Sequence, residues 1–270
     1  ECDYPPGVQH LPRVTSTPID PDAPGPVIDA AIRALREAGR PVIVLDAAQL
    51  EHLAPDLILT QGLCEVCAVS DGEVHRLADT LAGAPRVLAL SAGNLEGIWA
   101  DIRALGSALD LPDEAEELVT GLTSRLGRIV PSERGRFSPA VGIPRVLCVE
   151  WLDPLYLAGH WVPELVLAAG AEDVGAEPGA DSARRSWAEA ERLKPDLVVV
   201  MLCGFGLARA EVELAALADP AALSLLGSVP TWVIDGNAYT SRAGPRVVDG
   251  AERLRSAIQA QPMDGLIRWR

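Results

Sequence analysis

Pro55-Asp56 opens the short apolar run Leu57-Ile58-Leu59, which ends in Thr60-Gln61-Gly62-Leu63-Cys64. Pro195-Asp196 opens a second run, Leu197-Val198-Val199-Val200-Met201-Leu202, which ends in Cys203-Gly204-Phe205-Gly206. A continuous apolar run bounded by Pro and Gly reads as a parallel strand buried on both faces. Open α/β sheets bind ligands just beyond the carboxyl ends of such strands. Two copies of one design, each followed by a helical pattern, predict two similar α/β lobes whose loops face one ligand.

At 270 residues the chain exceeds the usual size of a single domain, which agrees with two lobes. The surrounding pattern fills them in. Residues 1–26 are rich in Pro and turn formers. A helix follows over 27–38 with Gly39 as its stop, then strands at 41–46 and 56–60 around a short helix at 48–53. A helix at 71–82, a strand at 86–90 and a helix at 94–105, N-capped by Asn94, complete the first lobe. Residues 112–129 read as one long amphipathic helix with Leu118, Leu122, Leu126 and Ile129 on one face. After a polar linker at 132–142, strand and helix alternate again through 145–149, 162–169, 186–193, 197–202, 209–218, 231–234 and 245–260. The expected domains are an N-terminal lobe at 1–111, a connecting helix at 112–131 and a C-terminal lobe at 142–270.

Charge narrows the function. A formal net charge of −15 argues against nucleic acid, whose phosphates require clustered Lys and Arg. No run of roughly 18 apolar residues is present, so no membrane-spanning helix is expected. The chain opens at Glu1 without a signal-peptide pattern, and five cysteines (Cys2, Cys64, Cys67, Cys148, Cys203) form no dense disulfide framework. On these grounds alone a reducing compartment is the weak preference.

Four segments carry candidate chemistry. Asp3-Tyr4-Pro5-Pro6 would hold Tyr4 outward from a stiff loop, as a lid on a flat ligand or as a packed turn. Cys64-Glu65-Val66-Cys67 admits three readings: ordinary loop cysteines, a redox pair, or half of a metal site that nothing else in the sequence completes. Trp151 at a strand exit and Gly159-His160-Trp161 before a helix form the densest aromatic group. No metal ligand is assigned; His160 is the one candidate, and it reads equally as a hydrogen-bond donor or a structural histidine. Asp235-Gly236-Asn237-Ala238-Tyr239-Thr240-Ser241-Arg242, with Pro245 opening the last helix and Arg246 beside it, suits an acceptor or anionic group. No nucleophile elbow, phosphate loop or paired acid and base stands out, so a catalyst is possible but nothing in the residues demands one.

Together, Cys2-Asp3-Tyr4-Pro5-Pro6 with Leu11-Pro12-Arg13-Val14, the Pro-Asp-Leu before each inner strand, and Asn237-Ala238-Tyr239-Thr240-Ser241-Arg242-Ala243-Gly244-Pro245-Arg246 resemble the cobalamin-binding substrate-binding proteins of ABC importers. These belong to the helical-backbone class that also holds haem and iron–siderophore binders. The resemblance spans nearly the whole chain. It implies two Rossmann-like lobes with parallel sheets joined by a single long helix, and cobalamin or a related corrinoid held between them as ligand, with no catalytic cofactor. By motif, Tyr4, Gln61 and Cys64 would contribute from the first lobe, and Trp151, His160, Trp161, Cys203, Phe205, Asn237, Tyr239 and Arg242 from the second. It further implies a monomer that docks on the membrane subunits of an ABC transporter through exposed carboxylates: Glu73 on the first lobe, Glu211 or Glu213 on the second. The implied location is periplasmic or cell-surface, with a cytoplasmic one left open. Family members carry a strand and helix ahead of the Asp-Tyr-Pro motif, where this chain begins, and often a Trp where Gln61 stands. Two alternatives accompany this reading. One is a haem or ferric-siderophore binder; the other, of a different class, is a cytoplasmic thiol or metal protein using Cys64 and Cys67.

Overall fold

The computed structural model describes residues 6–62, 69, 71–129 and 142–269. The chain divides into two compact units, Glu1–Ser91 and Ala92–Arg270. The sequence reading places the end of the first lobe at 111; the division into compact units falls at Ser91 because the two helices that follow pack on each other and on the second unit's helices.

In the first unit, β1 (Thr15–Ser16) pairs antiparallel with β2 (Val44–Leu45), with α1 (Gly25–Glu37) between them. The strand expected over 41–46 is thus only two residues long. Asp46 then caps α2 (Ala47–Leu53) by accepting a hydrogen bond from the Gln49 amide at 2.9 Å. The first Pro-Asp run becomes β3 (Leu57–Gln61), parallel to β4 (Arg86–Leu90) across α3 (Asp71–Ala78), the βαβ order that the pattern implies.

The second unit opens with α4 (Leu95–Ala108), and Asn94 is its N-cap as expected, its Oδ1 accepting from the Gly97 amide at 2.8 Å. α5 spans Pro112–Ile129, the bounds of the predicted long helix. Its buried stripe runs Ala115, Val119 and Leu122, whereas Leu118 is 43% exposed. Leu122 lies on the expected face, with Leu126 and Ile129 half-buried along it; Val119 takes the place expected for Leu118. The remaining elements are β5 (Arg145–Leu152), β6 (Leu155–Leu157), α6 (Val162–Ala168), β7 (Glu172–Asp173), β8 (Ala183–Arg184), α7 (Trp187–Arg192), β9 (Leu197–Val200), α8 (Leu207–Ala216), α9 (Pro220–Ser228), β10 (Thr231–Ile234), α10 (Gly236–Tyr239), α11 (Val247–Ile258) and β11 (Leu266–Arg268).

These strands form one sheet in the order β11-β10-β9-β5-β6-β8, with β7 on β5. Its centre is parallel: β10 on β9, β9 on β5 and β5 on β7. β11, β6 and β8 add antiparallel edges, which the expectation of purely parallel sheets did not include. Burial explains the composition of the centre. Val146 through Val149, Val198 through Val200, Val233 and Ile234 are wholly buried, so each strand must be apolar on both faces. Because β5, β9 and β10 run parallel, their carboxyl ends lie at one edge of the sheet.

Candidate functional site

That edge gathers the second unit's candidate residues. Trp151, near the end of β5, is half-buried, and its Nε1–H donates to the Asp153 carbonyl at 3.2 Å. Its ring lies 5.3 Å from the Phe205 ring at a 42° tilt. Arg209 covers Phe205 with its guanidinium 4.9 Å from the ring centre and pairs with Glu213 at 2.9 Å. Trp151, Phe205 and Arg209 thus form a layered stack across the exits of β5 and β9. Cys203 is exposed beside it, its amide bonded to the Glu150 carbonyl at 3.0 Å.

The β9 and β10 loops are tied to each other. The Gly204 amide donates to Ser241 Oγ at 3.2 Å, and the Asn237 amide donates to the Phe205 carbonyl at 3.1 Å. Asp235 caps α10 through the Ala238 amide at 2.8 Å. Arg242 turns back on this loop, its Nε donating to the Asn237 carbonyl at 3.1 Å and its Nη2 to Asn237 Oδ1. The guanidinium that the sequence offers to an anion is therefore engaged in shaping the loop. α11 starts at Val247, two residues beyond the expected Pro245, with Arg246 as its N-cap residue.

The loop between β6 and α6 supplies His160 and Trp161. His160 has φ +55°, a left-handed conformation that few non-glycine residues adopt. Two backbone bonds hold it there: its amide donates to the Ala180 carbonyl at 2.6 Å, and its carbonyl accepts from the Gly179 amide at 2.9 Å. Its imidazole is 21% exposed, with Nδ1 3.9 Å from Asp181 Oδ1. Among the described residues no group of three His, Cys, Asp or Glu side chains is placed to hold a metal ion. Trp161 is 4% exposed, and its Nε1–H donates to the Thr240 carbonyl at 3.0 Å. A ring so enclosed acts as a brace between the His160 loop and the α10 loop.

The loop that latches His160 begins at Asp173. Asp173 Oδ1 accepts from the amides of Gly175 at 2.7 Å and Ala176 at 3.3 Å. The wholly buried Cys148 thiol lies beside the same carboxyl. Burial pushes the Asp173 carboxyl up to about 6, against the two amide bonds and the Cys148 thiol, which favour its charged form. Burial likewise pushes the Cys148 thiol well up, so Cys148 is an inert core residue.

Gln61 ends β3 and is exposed in the first unit, and Glu73 lies half-buried on α3. Tyr4 and Cys64 fall outside the described residues. Of the two carboxylates proposed on α8, Glu211 is exposed. Glu213 is 9% exposed and bonded to Arg209, one turn earlier, at 3.0 Å. Of the pair, only Glu211 is open to solvent. Sequence reasoning missed Arg209, Arg253 and Asp173. Arg253 carried a signal: it sits within the apolar pattern Val247, Val248, Ala251, Leu254, Ala257, where a charge on a buried face needs a reason.

No protein-family model matches the chain, and no curated protein does. Solved structures do. A periplasmic heme binding protein from Pseudomonas aeruginosa superposes with a TM-score of 0.65 at 21% identity, over 83% of this chain and 81% of that one. The Fe3+-hydroxamate ABC-type transport system structure from Saccharomonospora viridis gives 0.57 at 18%, over 80% and 72%. The periplasmic vitamin B12 binding protein BtuF of Vibrio cholerae gives 0.53 at 16%, over 80% and 79%. The chain has the α/β fold of these periplasmic binding proteins.

Proposed function

We propose that the chain is a substrate-binding protein of an ABC importer and that its ligand is a flat metal chelate, with cobalamin or a related corrinoid as the first reading. What supports it is the Trp151–Phe205 stack at the exits of β5 and β9, tied through the Phe205 carbonyl to the α10 loop that ends in Tyr239, in a fold shared with chelate-binding proteins. Aromatic faces suit a large apolar macrocycle, and Asn237, Ser241 and Arg242 suit its peripheral amides. The first unit's candidates are Tyr4, Gln61 and Cys64. In this reading α5 is the backbone helix of the class, Glu73 and Glu211 dock on the transporter's membrane subunits, and the protein works as a monomer at the periplasmic or cell surface without turnover. The haem reading stands beside it with equal support, since heme-binding and vitamin B12 binding proteins both share the fold.

Parallel titrations with cyanocobalamin, haemin and a ferric hydroxamate, followed by tryptophan quenching and calorimetry, separate these readings. We expect one-to-one binding of cyanocobalamin at about micromolar affinity or tighter, near −8 kcal/mol. Haemin binding with a shifted Soret band and no cobalamin binding would transfer the site to haem. Folded protein that binds none of the three would sink the chelate reading. The Cys64→Ser, Cys67→Ser double variant is expected to bind as the parent does; loss of binding there would favour the thiol or metal alternative.

A further inference from the structure

Tyr239 ends α10, and the Arg253 guanidinium lies 3.4 Å from the centre of its ring. Gly265, with φ +73°, comes up to the ring edge beside that guanidinium: a Cβ there would overlap Tyr239 Cε2 and lie 3.0 Å from Arg253 Nε. α11 reaches this position because Gly250 carries no side chain: a Cβ would press on the Tyr239 carbonyl oxygen. Arg253 stands three residues after Gly250 and so emerges on the same helix face.

Arg253 is unusual for a buried cation. It is 7% exposed, and no carboxylate pairs with it among the described residues. The nearest acids on its helix, Asp249 and Glu252, both bond Arg125 instead, at 2.6 and 2.8 Å. Arg253 Nη1 donates to the Asp249 carbonyl at 2.9 Å, and among the described residues its Nε has no partner. A buried charge without a counter-charge is costly. The negative face of the Tyr239 ring is the compensating group that the surroundings supply.

We infer that Arg253 is a positioning residue: its guanidinium, stacked on the Tyr239 ring where the bare Gly265 backbone leaves room for both, fixes the ring in the orientation that the α10 loop presents to a ligand. The stack itself is a property of the free protein; its effect on affinity rests on the reading of this edge as the chelate face. The fixed ring gives the ligand a wall whose ordering cost is met before binding.

The chain holds three tyrosines, so uniform 3-fluorotyrosine labelling of the full chain gives a fluorine spectrum in which Tyr239→Phe identifies the Tyr239 signal by its loss. Arg253→Met, which keeps length and removes charge, is expected to move that signal, while Arg253→Lys moves it less. Gly265→Ala intrudes on both the ring edge and the guanidinium and is expected to move the same signal. Arg253→Met should also weaken cyanocobalamin or haemin binding about tenfold, with Arg253→Lys between it and the parent. A Tyr239 signal unchanged in both Arg253→Met and Gly265→Ala would overturn the inference; if Arg253→Met does not fold, an unchanged signal in Gly265→Ala does so alone. A parent protein that binds no chelate would sink the functional reading, and the fluorine signal would still decide on Arg253.

Discussion

Asp173 is the side chain whose chemistry departs furthest from its ordinary state. Its carboxyl is raised from 3.8 to about 6 by burial, so the native protein holds the proton more tightly than the unfolded chain. For an acid shifted in this direction, the destabilising cost is fully present above about pH 6 and gone below its ordinary value. At 1.36 kcal/mol per unit the cost reaches up to about 3 kcal/mol at pH 7.5. Asp173→Asn keeps an Oδ1 acceptor for Gly175 and Ala176 while removing the charge. The variant should therefore be the more stable protein at pH 7.5, by urea denaturation, with the difference shrinking to near zero by pH 4. A difference that stays flat over that range would show that Asp173 does not titrate as argued. The sequence offered no hint of this residue. Asp173 looks like any acid between two helices, and only its placement beside Cys148 on β5 removes it from water. Asn94 was legible for the opposite reason: an N-cap works through the amide three residues on, a relation the sequence itself contains.

At the scale of elements, the bounds of α5 were legible and most of its buried face was too, Leu118 excepted. Helix propensity, Pro112 at the start and the acidic first turn set its limits from local chemistry. Which stripe is buried depends on what packs against it, and the real one passes through Val119 instead of Leu118. β6, β8 and β11 escaped prediction because strands of two or three residues show no periodicity; partner strands create them. The Arg125 clamp belongs to the same category, since α5 and α11 lie far apart in sequence. One guanidinium bonds Asp249 and Glu252 together, and these bonds hold the Arg125 pKa above its usual value. Arg125→Ala removes the shared cation and leaves two neighbouring carboxylates facing each other. At this partly exposed site the loss should be about 1–2 kcal/mol, above the usual surface pair because three charges are involved. Urea denaturation in low salt should show it, and 0.5 M salt should roughly halve it. A parent-like midpoint in low salt would reduce the clamp to a surface ornament.

Across the whole molecule, the duplicated Pro-Asp design announced two α/β units, but it could not announce how unequally they are built. In the second unit Ile98, Val146, Leu165, Val198, Val233 and Leu254 are among many wholly buried side chains, around a sheet of seven strands. Among the described residues of the first unit, the most enclosed apolar side chain is Ala78 at 3%, and its strands form only two two-stranded sheets. Leu59, on β3, is half-exposed. A pair of strands without a broad apolar face is marginal by itself. Opening free energies follow buried apolar contact, so the two units should not open together. Hydrogen exchange followed by mass spectrometry is expected to show β3 and β4 amides exchanging roughly a hundredfold or more faster than those of β5, β9 and β10, a gap of about 3 kcal/mol. Equal protection in the two sets of strands would mean that the first unit draws its stability from more than its own core.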